Sequence, residues 1–294
     1  MIVGPRWADA DGPDNPESLL GQSELDVEVR RARRPQEVRQ LARAAVQEGM
    51  GYLISFGDDS TLHEVVNGVM NEDEPLNRAL VIGVVPAGEG SDFLRTFGLS
   101  SSPEDALVHL SGEPYFEVDV GRLTCKGPKG EERSEYFINL AQVGLGAQIV
   151  RGAGRLHALR RVGGLLAFWS SMGTFGSTTG KVVMDRRTYE GPLTNVVVAN
   201  GQFFRDGIRF AVKAHPGDGK FDVLIQKGTK RDYVEVMTKS FKGEHLPSKV
   251  IKEYMAAHVE VETPVPLSVE ADGRFEGLTP ATFEIVHNAY RLKI

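Results

Sequence analysis

The sequence predicts an α/β domain with a mostly parallel sheet, followed by an antiparallel β-sandwich domain. Three observations carry this. Up to about residue 100 the chain alternates apolar strand runs with helical faces. After Pro114 it turns to alternating or β-rich runs separated by turn residues. Two helical stretches interrupt that second half, at about 147–176 and about 230–241. The boundary falls near residue 115, giving an α/β nucleotide-type domain over 1–114 and a β-rich acceptor-binding domain over 115–294.

The elements follow in order. "MIVG" reads as a short strand. "NPESLLGQ" starts a short helix, with Asn15 as its cap and Pro16 in its first position, where the missing N–H costs nothing. "LDVEVRRA" alternates apolar and polar residues, as a half-buried strand does. In "RPQEVRQLARAAVQEG", Val38, Leu41, Ala42, Ala45 and Val46 share one helical face, which Gly49 ends. "GYLISFG" is a buried strand, and "STLHEVVNGVMN" is the next helix, with Ser60 or Thr61 as its expected cap. "LVIGVVPAG" is another buried strand, and "PEDALVHLSG" adds a helix. The later runs "YFEVDVGRLTC", "RSEYFINLAQVG", "FDVLIQKG" and "LSVEADGR" read as antiparallel strands. The final strand, "TFEIVHNAYRLKI", can belong to either domain.

Composition bounds the function. The chain has 294 residues, 41% hydrophobic and 25% charged, within the range of soluble globular proteins. A net charge of −6 argues against a general nucleic-acid binder, which needs Lys and Arg to neutralise phosphates. Cys125 is the one cysteine, so no disulfide can form within the chain, in keeping with a cytoplasmic location. No apolar run approaches the ~18 residues needed to cross a bilayer, and the first residues lack the basic start and apolar core of a secretory signal.

The chemistry concentrates in turns. "SFGDDSTLHEVVNGV" is strand, tight turn, helix, the arrangement that brings main-chain N–H groups to a phosphate. Gly57, Asp59, Ser60 and Thr61, with Gly88 and Gly90 of the next turn, are the candidate phosphate-loop residues. His63 and Glu64 resemble the start of a zinc helix, but the fifth position is Asn67 rather than His, so zinc is not expected.

Five motifs stand in order: "GDDSTLHEVVNG", "GVVPAGEGSDFLRTFGL", "FINLAQVGLGAQIVR", "NGQFFRDGIRFAVKAHPGDGKFDV" and "VEADGRFEGLTPATFEI". Together they resemble the diacylglycerol kinase catalytic-domain family, which includes bacterial lipid kinases and sphingosine kinases. The resemblance covers nearly the whole chain. It implies an N-terminal nucleotide domain, a C-terminal β-sandwich carrying the lipid acceptor site, and a cleft between them. It also implies phosphoryl transfer to a hydroxyl of a lipid or lipid-like small molecule, with Mg²⁺ and ATP or another phosphoryl donor. Asp58 and Asp272 are then the catalytic carboxylates that handle the proton. Asp92, Phe168, Trp169 and Met172 face substrate, and Asp218 is the metal-loop acid, joined by the carbonyls of His215 and Lys220. Arg274, standing where the family has a glutamate, is a substrate-side candidate that either pairs with Asp272 and holds it ionised or binds an anionic group on substrate. The stretch 156–176 lies where relatives bind the lipid tail. Partners are limited to the small-molecule or lipid substrate, with at most peripheral membrane contact and a homodimer left open.

The departures from the family pattern matter as much. Gly-Gly-Asp-Gly-Thr reads here as Phe56, Gly57, Asp58, Asp59, Ser60, Thr61. Gly-Thr-Gly-Asn-Asp reads as Gly88, Glu89, Gly90, Ser91, Asp92, and Asp-Gly-Glu as Asp272, Gly273, Arg274. The Asn-Pro of the first strand is matched by Gly4 and Pro5, and the late Ala-Pro by Ala211 and Val212. Asp59 adds bulk and charge where an anion should sit; at ~4 Å two like charges cost about 4 kcal/mol at an effective dielectric near 20. In the distantly similar phosphofructokinases, an Asp at the matching glycine goes with pyrophosphate rather than ATP. The loop is therefore degenerate and its use of ATP is doubtful. Two other readings stand beside the kinase: a non-kinase enzyme running acid–base chemistry such as a condensation or cyclisation in small-molecule biosynthesis, and a catalytically dead binding protein.

Overall fold

A computed structural model describes the chain except residues 11–14, 22–24, 72–73, 89–90, 101, 113, 157–159, 177 and 206. At residues 160 and 161 it describes the backbone alone. The chain divides into two compact units. One comprises residues 1–120, 216–218 and 286–294; the other comprises 121–215 and 219–285.

The first unit is built on β1 (Ile2–Val3), α1 (Pro16–Leu20), β2 (Arg30–Arg31), α2 (Pro35–Gln47), β3 (Tyr52–Gly57), α3 (Asp59–Val69), β4 (Val81–Pro86), α4 (Asp92–Thr96) and α5 (Pro103–Ser111). Its strands pair in parallel in the order β2-β1-β3-β4, and Arg291 and Leu292 near the C-terminus add a fifth parallel edge beside Val81 and Ile82. Both faces of such a sheet are covered, which is why β3 and β4 read as continuous apolar runs. Asn15 caps α1, its side chain accepting from Glu17 N and Ser18 N. The strand expected over "LDVEVRRA" is shorter than its alternation suggests. Only Arg30 and Arg31 join a ladder, because their partner β1 offers only Ile2 and Val3. Leu25, Val27 and Val29 still pack against the core around Trp7, Phe56 and Leu107.

The second unit holds the second half of β5 (Tyr115–Lys126), then β6 (Glu132–Phe137), β7 (Leu140–Gly144), α6 (Leu145–Arg155), α7 (Arg160–Thr174), β8 (Thr178–Met184), β9 (Arg187–Leu193), β10 (Asn195–Ala199), β11 (Phe221–Gln226), α8 (Lys230–Ser240), β12 (Ile251–Ala256), β13 (His258–Glu262), β14 (Ser268–Ala271) and the first part of β15 (Arg274–Lys293). The pairings that run β12-β11-β10-β7-β14-β15-β13-β8-β9 are antiparallel. Inward residues of both ends of that order share one core. Val143, Val196 and Val223 meet Val182, Val259 and Phe283 there, and Phe137 stacks on Phe221 at 5.5 Å between ring centroids. Helices α6 and α7 form an antiparallel pair: Gln148 Nε2 donates to Thr174 Oγ1 at 3.0 Å at one end. A Cβ on Gly152 would stand 3.1 Å from that of Ala167, and one on Gly163 would lie 2.2 Å from the carbonyl oxygen of Leu156.

Candidate functional site

The turn after β3 is shaped by what cannot fit. Gly57 has φ +150°, and a Cβ there would lie 2.4 Å from Thr61 Oγ1 and 3.0 Å from the indole of Trp7. A Cβ on Gly4, at the end of β1, would lie 2.2 Å from the same Thr61 hydroxyl. Gly88 has φ +81°, and a Cβ there would lie 3.2 Å from the Trp7 ring. Thr61 and Trp7 are both buried. The indole therefore lies against a glycine of each turn.

The expected cap of α3, Ser60 or Thr61, is corrected to Asp58. Its backbone is extended and its Oδ1 accepts from Thr61 N at 3.1 Å and from Thr61 Oγ1 at 3.2 Å. The carboxylate sits two residues before Ser60 and three before Thr61, and so reaches the open N–H donors of the first turn. Arg6 approaches the other oxygen, Nη1 to Oδ2 at 3.4 Å, with its guanidinium 5.3 Å above the Trp7 ring. Ser60 is exposed. Sequence reasoning missed both Arg6 and Trp7; the signal was their place directly after Gly4 and Pro5.

Asp59 is turned towards α4. Ser91 Oγ donates to its Oδ1, and its Oδ2 accepts from Asp92 N at 2.9 Å and Phe93 N at 3.2 Å. These are open donors of a helix start, which an anion would otherwise satisfy. Ser91 caps the same helix through Leu94 N, and Asp92 pairs with Arg95 at 3.2 Å. Gly90, and the Glu89 expected to add a second charge, lie outside the described residues. Behind the loop, Glu64 is buried and paired with Arg39 at 2.9 Å, and Asn67 donates to the His63 carbonyl at 2.9 Å.

In the second unit Asp272 and Gly273 form the two-residue turn between β14 and β15, with Ala271 opposite Arg274 and φ of +46° and +77°. Positive φ at both positions is what a tight hairpin demands, and Asp-Gly supplies it. The Asp272 carboxylate points back at the main chain. It accepts from Ile138 N at 2.8 Å, Asn139 N at 2.9 Å and Leu140 N at 3.3 Å, while its own N–H donates to the Leu140 carbonyl at 2.9 Å. Two residues earlier, Glu270 is fully buried. It accepts from Gln142 Nε2 and from Gly273 N, both at 2.8 Å, and burial pushes its pKa up to about 8. Gln142 accepts from Asn195 Nδ2 at 3.0 Å, and Asn195 Oδ1 accepts from Gly146 N at 2.9 Å, so a buried polar chain joins β14, β7 and β10. Arg205 Nη2 donates to the Gly273 carbonyl at 3.4 Å, and Arg274 is half-buried. Glu270, Gln142 and Arg205 also escaped the sequence reading. Their types mark them as polar, but only the pairing register brings them together.

Of the substrate-side candidates, Met172 is half-buried against the sandwich core, Phe168 is half-buried, and Trp169 is exposed with its ring 5.4 Å from that of Phe168. Cys125 is buried, with its thiol pushed up to about 12, which suppresses the thiolate. Asp218 lies exposed in a turn.

The donor sets can be tested against the groups the resemblance implies. Among the described residues no three His, Cys, Asp or Glu side chains gather as a metal site. At the nucleotide turn the helix-start donors are taken by Asp59, and Trp7 fills the space beside Gly57 and Gly88. Among the described residues, those at this turn do not fit a triphosphate.

Comparison with known proteins bears on the whole chain. Residues 8–123 match the diacylglycerol kinase catalytic domain, and residues 140–294 match the YegS C-terminal NAD kinase beta sandwich-like domain. A diacylglycerol kinase of Bacillus subtilis (strain 168) is 25% identical over 267 residues, covering 85% of this chain and 78% of the relative. A protein named "Probable lipid kinase YegS-like" from Shewanella frigidimarina (strain NCIMB 400) is 23% identical over 267 residues, covering 90% of this chain and 82% of its own length. A crystal structure of a diacylglycerol kinase from Bacillus anthracis str. Sterne shares the fold, with a TM-score of 0.70 at 18% identity over 99% of this chain and 94% of that one. No helix among the described residues is long and apolar enough to cross a membrane. With a family domain matched over each part of its sequence, the chain belongs to the diacylglycerol kinase and YegS-like lipid kinase family.

Proposed function

We propose that this chain is a lipid-kinase-type phosphotransferase acting on a hydroxyl of a lipid or lipid-like small molecule, with a donor loop that resists ATP. One observation carries the second half: the Asp59 carboxylate holds Ser91 Oγ, Asp92 N and Phe93 N. A phosphate arriving there must displace an internal anion already hydrogen-bonded to those donors, and must do so against its charge. Family membership supports the first half.

Asp58 and Asp272 remain the carboxylates that this reading assigns to the acceptor proton. A second reading, a binding protein without transfer chemistry, is favoured by Asp272, whose oxygens accept three main-chain N–H groups instead of facing outward unengaged.

Thermal-shift titration with ATP, GTP and pyrophosphate, each with Mg²⁺, followed by phosphate transfer to a bacterial lipid extract, separates the readings. A shift and transfer with pyrophosphate but not ATP supports the first. Silence from all three donors supports the second. Tight ATP binding with efficient transfer overturns the closed-loop account.

A further inference from the structure

Arg151 is a cation that the chain leaves without an anion. It lies on α6, partly buried, and its buried Nε has no hydrogen-bond partner. Its guanidinium stands 4.6 Å from the centre of the Phe275 ring, and Nη1 reaches Ser268 Oγ only at 3.5 Å. Among the described residues it forms no ion pair. Burial acts against its charge, and so does Arg155, one turn further along α6. Helix α6 itself carries no acid. A ring face and a distant hydroxyl hold a guanidinium less well than a carboxylate or phosphate, which it grips with two parallel N–H bonds. Charges drawn out of water are ordinarily paired. A partly buried cation with no internal counter-ion is completed by an incoming anion.

Its position ties it to the acceptor turn. Phe275 stands opposite Glu270 across β14 and β15, so the two share the face of the sheet that Arg151 covers, together with Ser268. Glu270 is two residues from Asp272, about 7 Å along a strand. Arg205 meets the same hairpin at its turn. Its Nη2 donates to the Gly273 carbonyl at 3.4 Å, and among the described residues it forms no ion pair either. The acids of the hairpin are otherwise engaged. The Asp272 oxygens accept from three main-chain N–H groups. Glu276 is paired with Arg133 at 2.7 Å. Glu270, pushed up to about 8 by burial, is protonated at neutral pH.

We propose that the acceptor carries an anionic group a few bonds from its hydroxyl, the phosphodiester of a glycerophospholipid headgroup, and that Arg151 and Arg205 hold that group beside the Asp272 turn. This rests on reading that turn as the acceptor site, and it selects a phospholipid over a neutral diacylglycerol.

The test measures binding to the full chain by calorimetry, with no phosphoryl donor present. The probes are monomeric dihexanoyl phosphatidylglycerol, dihexanoylglycerol and inorganic phosphate. We expect the phospholipid to bind about tenfold or more tighter than either of the others. Arg151→Gln keeps a donor amide but removes the charge; it should erase the preference and leave the affinity for dihexanoylglycerol unchanged. Arg151→Lys should keep part of the preference, since it restores charge without the fork. The melting temperature of Arg151→Gln should not fall, because the variant removes a desolvated charge that no anion in the chain balances. Arg205 is exposed, so Arg205→Gln tests the preference without disturbing the core, and should weaken it. Equal binding of the two lipids, or a preference that survives both glutamine variants, overturns the proposal and leaves the acceptor-site reading standing. Inorganic phosphate binding as tightly as the phospholipid also overturns it, and gives the cations to a free anion. Binding of neither lipid overturns both.

Discussion

The Asp59 carboxylate and the main-chain nitrogen of Asp92 lie 2.9 Å apart, so an acid from one turn satisfies the start of the helix that follows the next. The hydroxyl of Ser91 and the N–H of Phe93 complete the contact. An internal anion thus holds donors that a phosphate would use.

Replacing Asp59 with Gly should open that position. Charge and bulk leave together, and the donors at 91–93 become available. We expect ATP affinity, in the presence of Mg²⁺, to rise by about tenfold or more, in line with removal of a like charge worth a few kcal/mol. Calorimetry on the two proteins decides it, and micromolar ATP affinity in the unmodified protein would sink the closed-loop argument.

Asp272 should prove to be a stabilising residue whatever its chemistry. Asp272→Ala leaves three main-chain N–H groups of residues 138–140 without the carboxylate, at a φ of +46° that Asp tolerates better than Ala. A loss of about 2–4 kcal/mol is expected from urea unfolding. Asp272→Asn keeps the turn geometry but can accept with only one oxygen, so it should cost roughly half as much. If Asp272 is also a general base, turnover in Asp272→Asn should fall by about 10²–10⁴-fold. Unchanged stability in both variants would contradict the hydrogen-bond geometry.

Glu270 should make the fold less stable in alkali. Its pKa is raised to about 8 in the folded chain from 4.5, because burial penalises the charged form. Between those values the folded state holds a proton that the unfolded state has lost, so stability falls as pH rises from about 4.5 through 8. Glu270→Gln removes the titration and should flatten this part of the profile. Thermal melts between pH 5 and 9 measure it; a wild-type profile that rises over that range would refute the assignment.

Gly4 should tolerate no methyl while Thr61 is present. Gly4→Ala drives a Cβ to 2.2 Å from Thr61 Oγ1 and should cost about 1–3 kcal/mol. The double variant Gly4→Ala, Thr61→Ala should recover much of that loss, since the obstructing atom is gone. A double-mutant cycle showing no coupling would mean that the backbone moves instead.

The sequence by itself determined the class of both units. Apolar runs flanked by helical periodicity dictated a parallel sheet, since βαβ crossovers bury both faces. Alternation dictated the antiparallel strands, since one face of each is buried. It determined the helix at 16–20 and its Asn15 cap, and the tight Asp272–Gly273 turn, because these depend on residues adjacent in the chain. The family also was legible there, because it rests on the order of five local motifs. Tertiary structure alone decided the length of β2, which depends on how much of β1 is available to pair. It decided that Asp58 caps α3 while its neighbour Asp59 turns away to α4, although the two are chemically identical and consecutive. It turned the Asp272 carboxylate onto residues 138–140, more than a hundred positions away in the chain. It also left Val162, Leu165, Leu166 and Trp169 of α7 facing outward. Periodicity reveals that a helix has an apolar face. Which face is covered depends on the neighbour, and here the small residues Gly152 and Ala167 let α6 approach on the other side. Local chemistry is written in the spacing of residues; the direction in which each side chain spends it is set by what the fold places opposite.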